Sequence, residues 1–189
     1  MKVVGIVCSP RRNGNTEIMM QEALAAVRES GGETEMLTVS GKNIRPCDGC
    51  YTCSDKGVCH IDDDMREIYL KLLESDGVIL GTPVYYWNVT AQAKMIIDRA
   101  FALRVGRQLE GKVFGAIVVA RRVGAGQTLS LLYPVFSGHG MHIAGSAIGY
   151  GRDKGEVREG VGGPTGSSAL GEARKLGEAV ISLYQKLSR

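Results

Sequence analysis

Apolar runs and amphipathic stretches alternate along most of the chain. Five segments rich in apolar residues predict strands; they are residues 2–8, 33–39, 77–82, 112–120 and 141–150. Between and after them, apolar residues recur at helical spacing. This spacing predicts helices over residues 16–30, 63–73, 90–103, 127–137 and 169–187. Regular alternation of strand and helix favours a parallel sheet covered by helices on both faces.

Five strands joined by such crossovers fit a flavodoxin-like α/β fold. We expect a five-stranded parallel sheet in the order 2-1-3-4-5, with helices on both faces. A length of 189 residues predicts one domain, residues 1–189, which is long enough to bury a sizeable core. In such sheets, ligands bind outside the carboxyl ends of the strands, so we look for a site there.

Composition and charge exclude several classes of function. No apolar run approaches the length of a membrane span, and the net charge of +3 comes from scattered basic residues. We therefore expect neither a membrane protein nor a nucleic-acid-binding protein. The start of the chain, MKVVGIVC, leads directly into a predicted strand and does not resemble a signal peptide. These features predict a cytoplasmic protein.

Four of the five cysteines lie within a predicted loop at residues 44–61. The spacing C-x2-C-x2-C-x5-C involves Cys47, Cys50, Cys53 and Cys59. Four thiolates are the usual ligands of a [4Fe–4S] cluster. Structural zinc is an alternative, although its sites usually pair two separated C-x2-C hairpins. Free or redox-active thiols are a third possibility, whereas disulfides require an oxidising compartment.

A polar segment, SPRRNGNT, connects the first predicted strand to the first predicted helix. The N-terminus of a helix offers unpaired amides and a partial positive charge, which together bind phosphate. Ser9, Asn15 and Thr16 can donate hydrogen bonds there, and Arg11 can add a charge-assisted contact. The segment lacks the Walker A ending and the chain has no G-x-G-x-x-G, so it supports neither an ATPase nor a Rossmann NAD domain.

Aromatic residues follow the third predicted strand in the segment TPVYYWNVTAQAKMIIDRA. Pro83, Val84, Tyr85, Tyr86 and Trp87 therefore lie at the carboxyl end of a buried strand. Such a loop can pack against the flat face of an aromatic cofactor. It can equally cap the hydrophobic core.

These segments together resemble the NADPH-dependent FMN reductase superfamily of flavodoxin-like proteins. The resemblance rests on SPRRNGNT, on PVYYWNVTAQAKMIIDR, and on RRVGAGQT followed by GMHIAG, and it spans roughly residues 2–150. The segment CDGCYTCSDKGVC makes the chain similar to the iron–sulfur flavoprotein branch.

The resemblance implies a bound FMN with its phosphate at Ser9, Arg11, Asn13, Asn15 and Thr16. It also implies that the ring system rests against a wall formed by Pro83, Val84, Tyr85, Tyr86 and Trp87, with Asn88 nearby. The loop after the fourth strand would flank the far edge of the ring through Ala120, Arg121, Gly124 and Gly126. In this branch all four clustered cysteines would be ligands of the cluster. Asp98 and Arg99 would pair with each other or form a subunit contact, since family members are commonly homodimers or homotetramers.

The expected activity is electron transfer between FMN, a two-electron carrier, and a ferredoxin-like one-electron carrier through the [4Fe–4S] cluster. The cofactors would perform the chemistry, so no catalytic side chain is expected. One alternative is a cluster-free reductase of FMN or quinones that uses NAD(P)H. Another is a redox sensor without turnover. The glycine-rich segment at 151–168 has no assigned role and would serve as a lid or a subunit contact.

Overall fold

The computed structural model describes residues 1–160 and 168–188 and contains one five-stranded parallel sheet. Its strands are β1 (Lys2–Val7), β2 (Glu33–Thr38), β3 (Gly77–Pro83), β4 (Val113–Ala120) and β5 (His142–Tyr150). They lie in the order β2-β1-β3-β4-β5, and all neighbours are parallel. The predicted fold class is confirmed.

Six α-helices lie in the described parts of the chain. They are α1 (Asn15–Glu29), α2 (Thr52–Lys56), α3 (Met65–Glu74), α4 (Ala91–Arg99), α5 (Ala125–Gly138) and α6 (Ala169–Leu187). The predicted helix over 90–103 is α-helical only to Arg99 and continues as a 3₁₀ segment over Ala100–Arg107. That segment breaks where Val105 is extended and Gly106 is left-handed.

Two hydrophobic cores lie on opposite faces of the sheet because side chains alternate along each strand. On β1, Val4 and Ile6 belong to the core under α3, α4 and α5, whereas Val3 and Val7 belong to the core under α1 and α6. In the first core, the rings of Phe114 and Phe136 stack with centroids 3.9 Å apart. The sheet is therefore covered on both sides, as its apolar strands predicted.

The carboxyl ends of the central strands are tied together at one edge of the sheet. The amide of Cys8 donates to Gly81 O at 2.7 Å, and the amide of Val84 donates to Val119 O at 2.7 Å. The amide of Gly151 donates to Ala120 O at 3.0 Å. The loops that leave β1, β3, β4 and β5 therefore start side by side.

Part of the glycine-rich segment at 151–168 falls outside the described residues, namely 161–167. Before that gap, residues 151–160 leave β5 and include a 3₁₀ turn at Glu156–Arg158. Among the described helices, none combines the length and apolar character needed to cross a membrane.

Candidate functional site

A cavity of about 280 Å³ opens at the carboxyl edge of the sheet, where the site was expected. Four loops line it, and each follows a different strand. The lining residues are Ser9, Arg11, Gly14, Asn15, Thr16, Pro83, Val84, Tyr85, Val119, Arg121, Gly151, Arg152 and Lys154. The predicted phosphate loop and part of the predicted aromatic wall thus face one space.

The first turn of α1 points unpaired amides into this cavity. No side chain caps the helix at Gly14, and the first backbone bond of the helix runs from Ile18 N to Gly14 O. Within the described residues, the amides of Asn15, Thr16 and Glu17 have no acceptor. A helix start of this kind binds an anion through its main chain and its dipole.

Two hydroxyl side chains flank that helix start. Ser9 is only 3% exposed, and its Oγ accepts a hydrogen bond from the amide of Arg11 at 3.2 Å. Thr16 is 2% exposed, and its methyl group packs so closely on Gly81 that a Cβ there would lie 3.0 Å away. The hydrogen bond to Ser9 Oγ and the contact between Thr16 and Gly81 hold the two hydroxyl groups at the cavity.

The two asparagines of the segment have other partners in the structure. Asn13 has a left-handed φ of 51°, its amide donates to Glu17 Oε2 at 2.6 Å, and its side chain faces a neighbouring cavity. Asn15 lines the main cavity, but its Nδ2 donates to Asp153 O at 2.9 Å and its Oδ1 accepts from Gly155 N at 2.7 Å. Both side chains were expected to bind phosphate.

The aromatic loop after β3 forms a two-residue hairpin. Tyr85 and Asn88 exchange backbone hydrogen bonds of 2.9 and 3.1 Å, and the intervening Tyr86 and Trp87 both have positive φ. Pro83, Val84 and Tyr85 line the cavity, whereas Tyr86 is 98% exposed. Tyr86, Trp87 and Asn88, which the sequence placed with the flavin, do not line it.

The turn after β4 packs directly against this hairpin. Gly124 has φ +96°, and a Cβ there would lie 2.8 Å from Val84 Cγ1, so only glycine fits this approach. Arg121 lines the cavity. Ala120, Gly124 and Gly126, which the resemblance placed at the ring, are not among the described residues that line it. The prediction that this turn flanks the far edge of a bound ring stays a prediction.

The loop after β5 contributes two basic residues that were not expected at the site, Arg152 and Lys154. With Arg11 and Arg121, they give the cavity four basic side chains, and none of the described residues that line it is acidic. None of the four forms an ion pair with a described residue. Their position directly after a predicted strand could have placed both residues at the site, because ligands bind at the carboxyl edge of such a sheet.

The cysteine loop is closed at its base by buried and partly buried bonds. Arg99 Nη1 donates to Arg45 O at 2.9 Å, and Arg99 Nη2 donates to Ile61 O at 3.3 Å. Asp63 accepts from both nitrogens of the same guanidinium and from the amide of Arg45. One arginine of α4 therefore holds the chain immediately before and after the cysteines.

All four clustered cysteines line a second cavity of about 460 Å³. Its opposite wall is mainly apolar and comes from the last turns of α4 and α5 and from the 3₁₀ segment, through Ile97, Phe101, Pro134 and Val135. Cys47 and Cys50 are exposed, whereas Cys53 and Cys59 are partly buried. The short helix α2 starts within the loop, one residue before Cys53.

The thiols are close enough to affect one another. Burial raises the pKa of Cys53 above its ordinary value, and the nearby Cys59, Cys50 and Cys47 raise it further. His60 Nε2 lies 2.7 Å from Asp48 Oδ2, and the side chains of Asp48, Cys50 and His60 approach one another within 4.8 Å. Bringing thiolates together is unfavourable without a cation, and a bound metal centre would remove that penalty.

The two cavities lie at different heights along α4. The hydroxyl of Thr90, which caps α4, donates to Cys8 O at 2.7 Å, next to the phosphate loop. The cysteine cavity begins at Ile97, seven residues after Thr90, which is about 10 Å further along the helix axis at 1.5 Å per residue. Among the residues that the structure describes, none lines both cavities.

Comparison with known proteins agrees with this arrangement. The family model for NADPH-dependent FMN reductase matches residues 1–153. The chain belongs to this family. Within the family it lies on the iron–sulfur flavoprotein branch, as the cysteine motif indicated, and it is a flavin-dependent oxidoreductase.

An iron–sulfur flavoprotein of Methanocaldococcus jannaschii is 39% identical over the full length of both chains. Another, from Archaeoglobus fulgidus, is 40% identical and matches all of this chain and 83% of its own length. The crystal structure of RosB superposes with a TM-score of 0.79 at 17% identity, and it covers 100% of this chain and 80% of RosB. That identity supports the shared fold alone.

Both implied cofactors fit the residues present. For FMN, the free amides of α1 and four basic side chains suit a phosphate, and Pro83, Val84 and Tyr85 add apolar and aromatic lining to the same cavity. For an iron–sulfur cluster, four thiols line a single cavity on a loop that is tied at both ends. These are the donor groups that each cofactor requires.

Proposed function

We propose that the protein holds FMN in the four-loop cavity and a [4Fe–4S] cluster in the cysteine cavity. It would exchange electron pairs at the flavin for single electrons carried by a ferredoxin-like partner. The observation that carries this proposal is the convergence of all four clustered cysteines on one cavity, in a chain whose α1 begins at a second cavity lined by basic residues. The cofactors supply the redox chemistry, and the residues position them and set their surroundings.

The polar end of the first cavity would hold the FMN phosphate. The unpaired amides of Asn15 and Thr16 belong to residues that line this cavity, and the hydroxyl of Thr16 adds a donor. Arg11 contributes positive charge, and charge-assisted bonds to phosphate are about twice as strong as neutral ones.

The other end of this cavity suits the ring system. Pro83, Val84 and Tyr85 form one wall, and the backbone bond from Val84 N to Val119 O keeps that wall close to β4. Arg121 places a positive charge in the same space, which favours negative charge on a bound ring. The protein thus contributes orientation and electrostatics at this end.

In the second cavity, Cys47, Cys50, Cys53 and Cys59 would be the cluster ligands. The exposed Cys47 and Cys50 bring this cavity to the protein surface, where a second electron carrier can approach. Ile97, Phe101 and Val135 provide an apolar wall. Solvent exposure and hydrogen bonds to the sulfurs set the potential of such a cluster.

A second candidate function is reduction of the flavin by NAD(P)H without participation of a cluster. The family matched by the chain is that of NADPH-dependent FMN reductases, and no cysteine lines the flavin cavity. In this case the cysteine loop would be structural or would react through its thiols. A protein with flavin, without iron, and with NADPH-dependent turnover would support this function.

The deciding experiment measures iron, acid-labile sulfide and FMN in protein purified without oxygen, together with the visible spectrum. About four irons and four sulfides per FMN would support the two-cofactor carrier. Reduction of a purified ferredoxin, followed anaerobically, then tests the partner class. FMN without iron would overturn the cluster assignment, and the absence of flavin would overturn both functions.

A further inference from the structure

The loop that follows β5 crosses over the start of α1 and is fastened to it by one side chain. Asn15 Nδ2 donates to Asp153 O at 2.9 Å, and Asn15 Oδ1 accepts from the amide of Gly155 at 2.7 Å. These two bonds engage the carboxamide from both sides. Asn15 is therefore a latch on this loop.

Two glycines make the latch possible. A Cβ at Gly151 would lie 2.7 Å from Asn15 Nδ2, so the carboxamide reaches its position only because residue 151 has no side chain. Gly155 has φ +95°, in the left-handed region that glycine adopts without strain. The backbone of residues 151–155 is thus shaped to receive the Asn15 side chain.

The loop is also anchored at both ends. The amide of Gly151 extends the β4–β5 ladder through its bond to Ala120 O. Beyond the latch, Val157 is fully buried in the core formed with α1 and α6. The carboxylate of Glu156 accepts a hydrogen bond from the amide of Arg152 at 2.5 Å. Arg152 and Lys154 are consequently held on a short span above the cavity.

We propose that residues 151–155 form a cationic strap whose Arg152 and Lys154 select the phosphorylated flavin, with Asn15 acting as the latch that positions the strap. This inference rests on the proposed binding of FMN. The strap adds two basic side chains to Arg11 and Arg121 around one cavity, whose lining within residues 1–160 and 168–188 includes no acidic residue. A phosphate with two negative charges is the group that such a cavity recognises best.

The first test compares the dissociation constants of FMN and riboflavin, measured by flavin fluorescence on full-length protein freed of its own flavin. Riboflavin lacks the phosphate, so the ratio of the two constants isolates phosphate recognition. In the variant Arg152→Ala/Lys154→Ala, we expect FMN binding to weaken at least tenfold and riboflavin binding to change less than threefold. Arg158→Ala is the matched control, because Arg158 belongs to the same segment but lines only the neighbouring cavity.

The second test asks how Asn15 acts. If Asn15 is the latch, Asn15→Ala should weaken FMN binding and add little when combined with Arg152→Ala/Lys154→Ala. Gly155→Ala strains the left-handed backbone whose amide bonds to Asn15, and it changes no side chain at the cavity. It should therefore weaken FMN binding as Asn15→Ala does. Independent, multiplying effects would instead make Asn15 a direct phosphate ligand and would overturn the latch.

An unchanged ratio of FMN to riboflavin affinity in Arg152→Ala/Lys154→Ala would overturn the strap. Circular dichroism and thermal unfolding of each variant show whether the fold is retained, and Lys154→Gln with Arg152→Gln provides a second, closer replacement. The same measurements distinguish failure of the strap from failure of the proposed function. A parent protein that binds no flavin would reject the proposed function. A parent protein that binds FMN, with the same ratio of FMN to riboflavin affinity in the variant, would reject only the strap.

Discussion

Arg99 and Asp63 form a bidentate ion pair in which both side chains are fully buried. Arg99 Nη1 lies 2.9 Å from Asp63 Oδ2, and Arg99 Nη2 lies 3.1 Å from Asp63 Oδ1. Because Arg99 also binds the carbonyls of Arg45 and Ile61, the pair closes the base of the cysteine loop. Tyr69 braces it, since its hydroxyl donates to Arg99 O at 2.8 Å.

Replacing Arg99 should loosen the cysteine loop as well as the fold. Arg99→Ala leaves the Asp63 carboxylate buried without its partner, so we expect the free energy of unfolding to fall by about 3–5 kcal/mol. Arg99→Lys keeps the charge but loses the planar guanidinium, so its free energy of unfolding should lie between those of Arg99→Ala and the parent protein. Urea denaturation measures the stability, and the labelling rate of the clustered thiols measures loop opening.

A surface pair on the same helix provides the control for Arg99. Lys94 pairs with Asp98 at 2.5 Å, and both side chains are about half exposed. Lys94→Ala should therefore cost less than about 1 kcal/mol and leave thiol labelling unchanged. If Arg99→Ala labelled its cysteines at the rate of the parent protein, the loop would not depend on this ion pair.

The Arg99–Asp63 ion pair also predicts how the free energy of unfolding depends on pH. Burial alone would raise the pKa of Asp63, but hydrogen bonds from Arg99 and from the amides of Arg45 and Met65 hold the pKa below its usual range. The unfolded chain therefore takes up this proton first, near the ordinary pKa of about 3.9. The stabilisation is present in full above that pH and is lost as the pH falls through the lower pKa of the folded protein.

We expect the acid dependence of unfolding to be shallower in Asp63→Asn than in the parent protein below about pH 4. Denaturant unfolding at a series of pH values measures the slope. Equal slopes in Asp63→Asn and the parent protein would show that Asp63 does not titrate differently on folding.

Cys53 provides the most direct test of the proposed metal site. Its thiol is partly buried and lies among the other three, so Cys53→Ser should lower the iron bound per chain while FMN stays constant. Cys8→Ser is the comparison, because Cys8 is fully buried and burial raises its pKa, which makes it an inert thiol. Iron is measured by colorimetric assay on anaerobic protein. Equal iron in both variants would remove Cys53 from the site.

Local patterns predicted the fold because strands and helices depend on near neighbours. The run KVVGIV alternates its side chains between two cores, so its burial on both faces was readable from six residues. The boundaries of α6 agree with the prediction at Ala169 and Leu187 for the same reason. Helix α2 was not predicted, since five residues between cysteines carry too little periodicity.

Long-range contacts explain what the sequence did not predict at the site. Arg99 was expected to pair with Asp98 or a second subunit, but the structure pairs it with Asp63, 36 residues upstream. Asn15 was expected at a phosphate, yet its carboxamide meets Gly155, 140 residues downstream. Both partners are brought close only by the packing of distant loops at the edges of the sheet.

The hydroxyl of Thr16 can be removed without disturbing the packing around it. Thr16→Val keeps the methyl group that contacts Gly81 and deletes only the donor at the cavity. We expect FMN binding to weaken about tenfold, as for a lost hydrogen bond to a charged group. Fluorescence titration with FMN measures this. Thr128→Val, at a buried hydroxyl on α5 that binds Gly124 O, is the control and should leave the affinity unchanged.

We expect the backbone of Tyr86 and Trp87 to lower the stability of the fold while their aromatic rings contact the flavin. Their φ values of 46° and 69° match a type I′ turn, which Asn-Gly adopts with much less strain. Tyr86→Asn/Trp87→Gly should therefore raise the free energy of unfolding by about 1 kcal/mol. If these aromatic rings contact the flavin, as the sequence predicted, FMN affinity should fall at the same time.

Arg107→Asn is the control, because Arg107 is at another left-handed position away from the cavity, and it should leave the affinity for FMN unchanged. A stabilised protein that binds FMN as before would confine the aromatic wall to Pro83, Val84 and Tyr85.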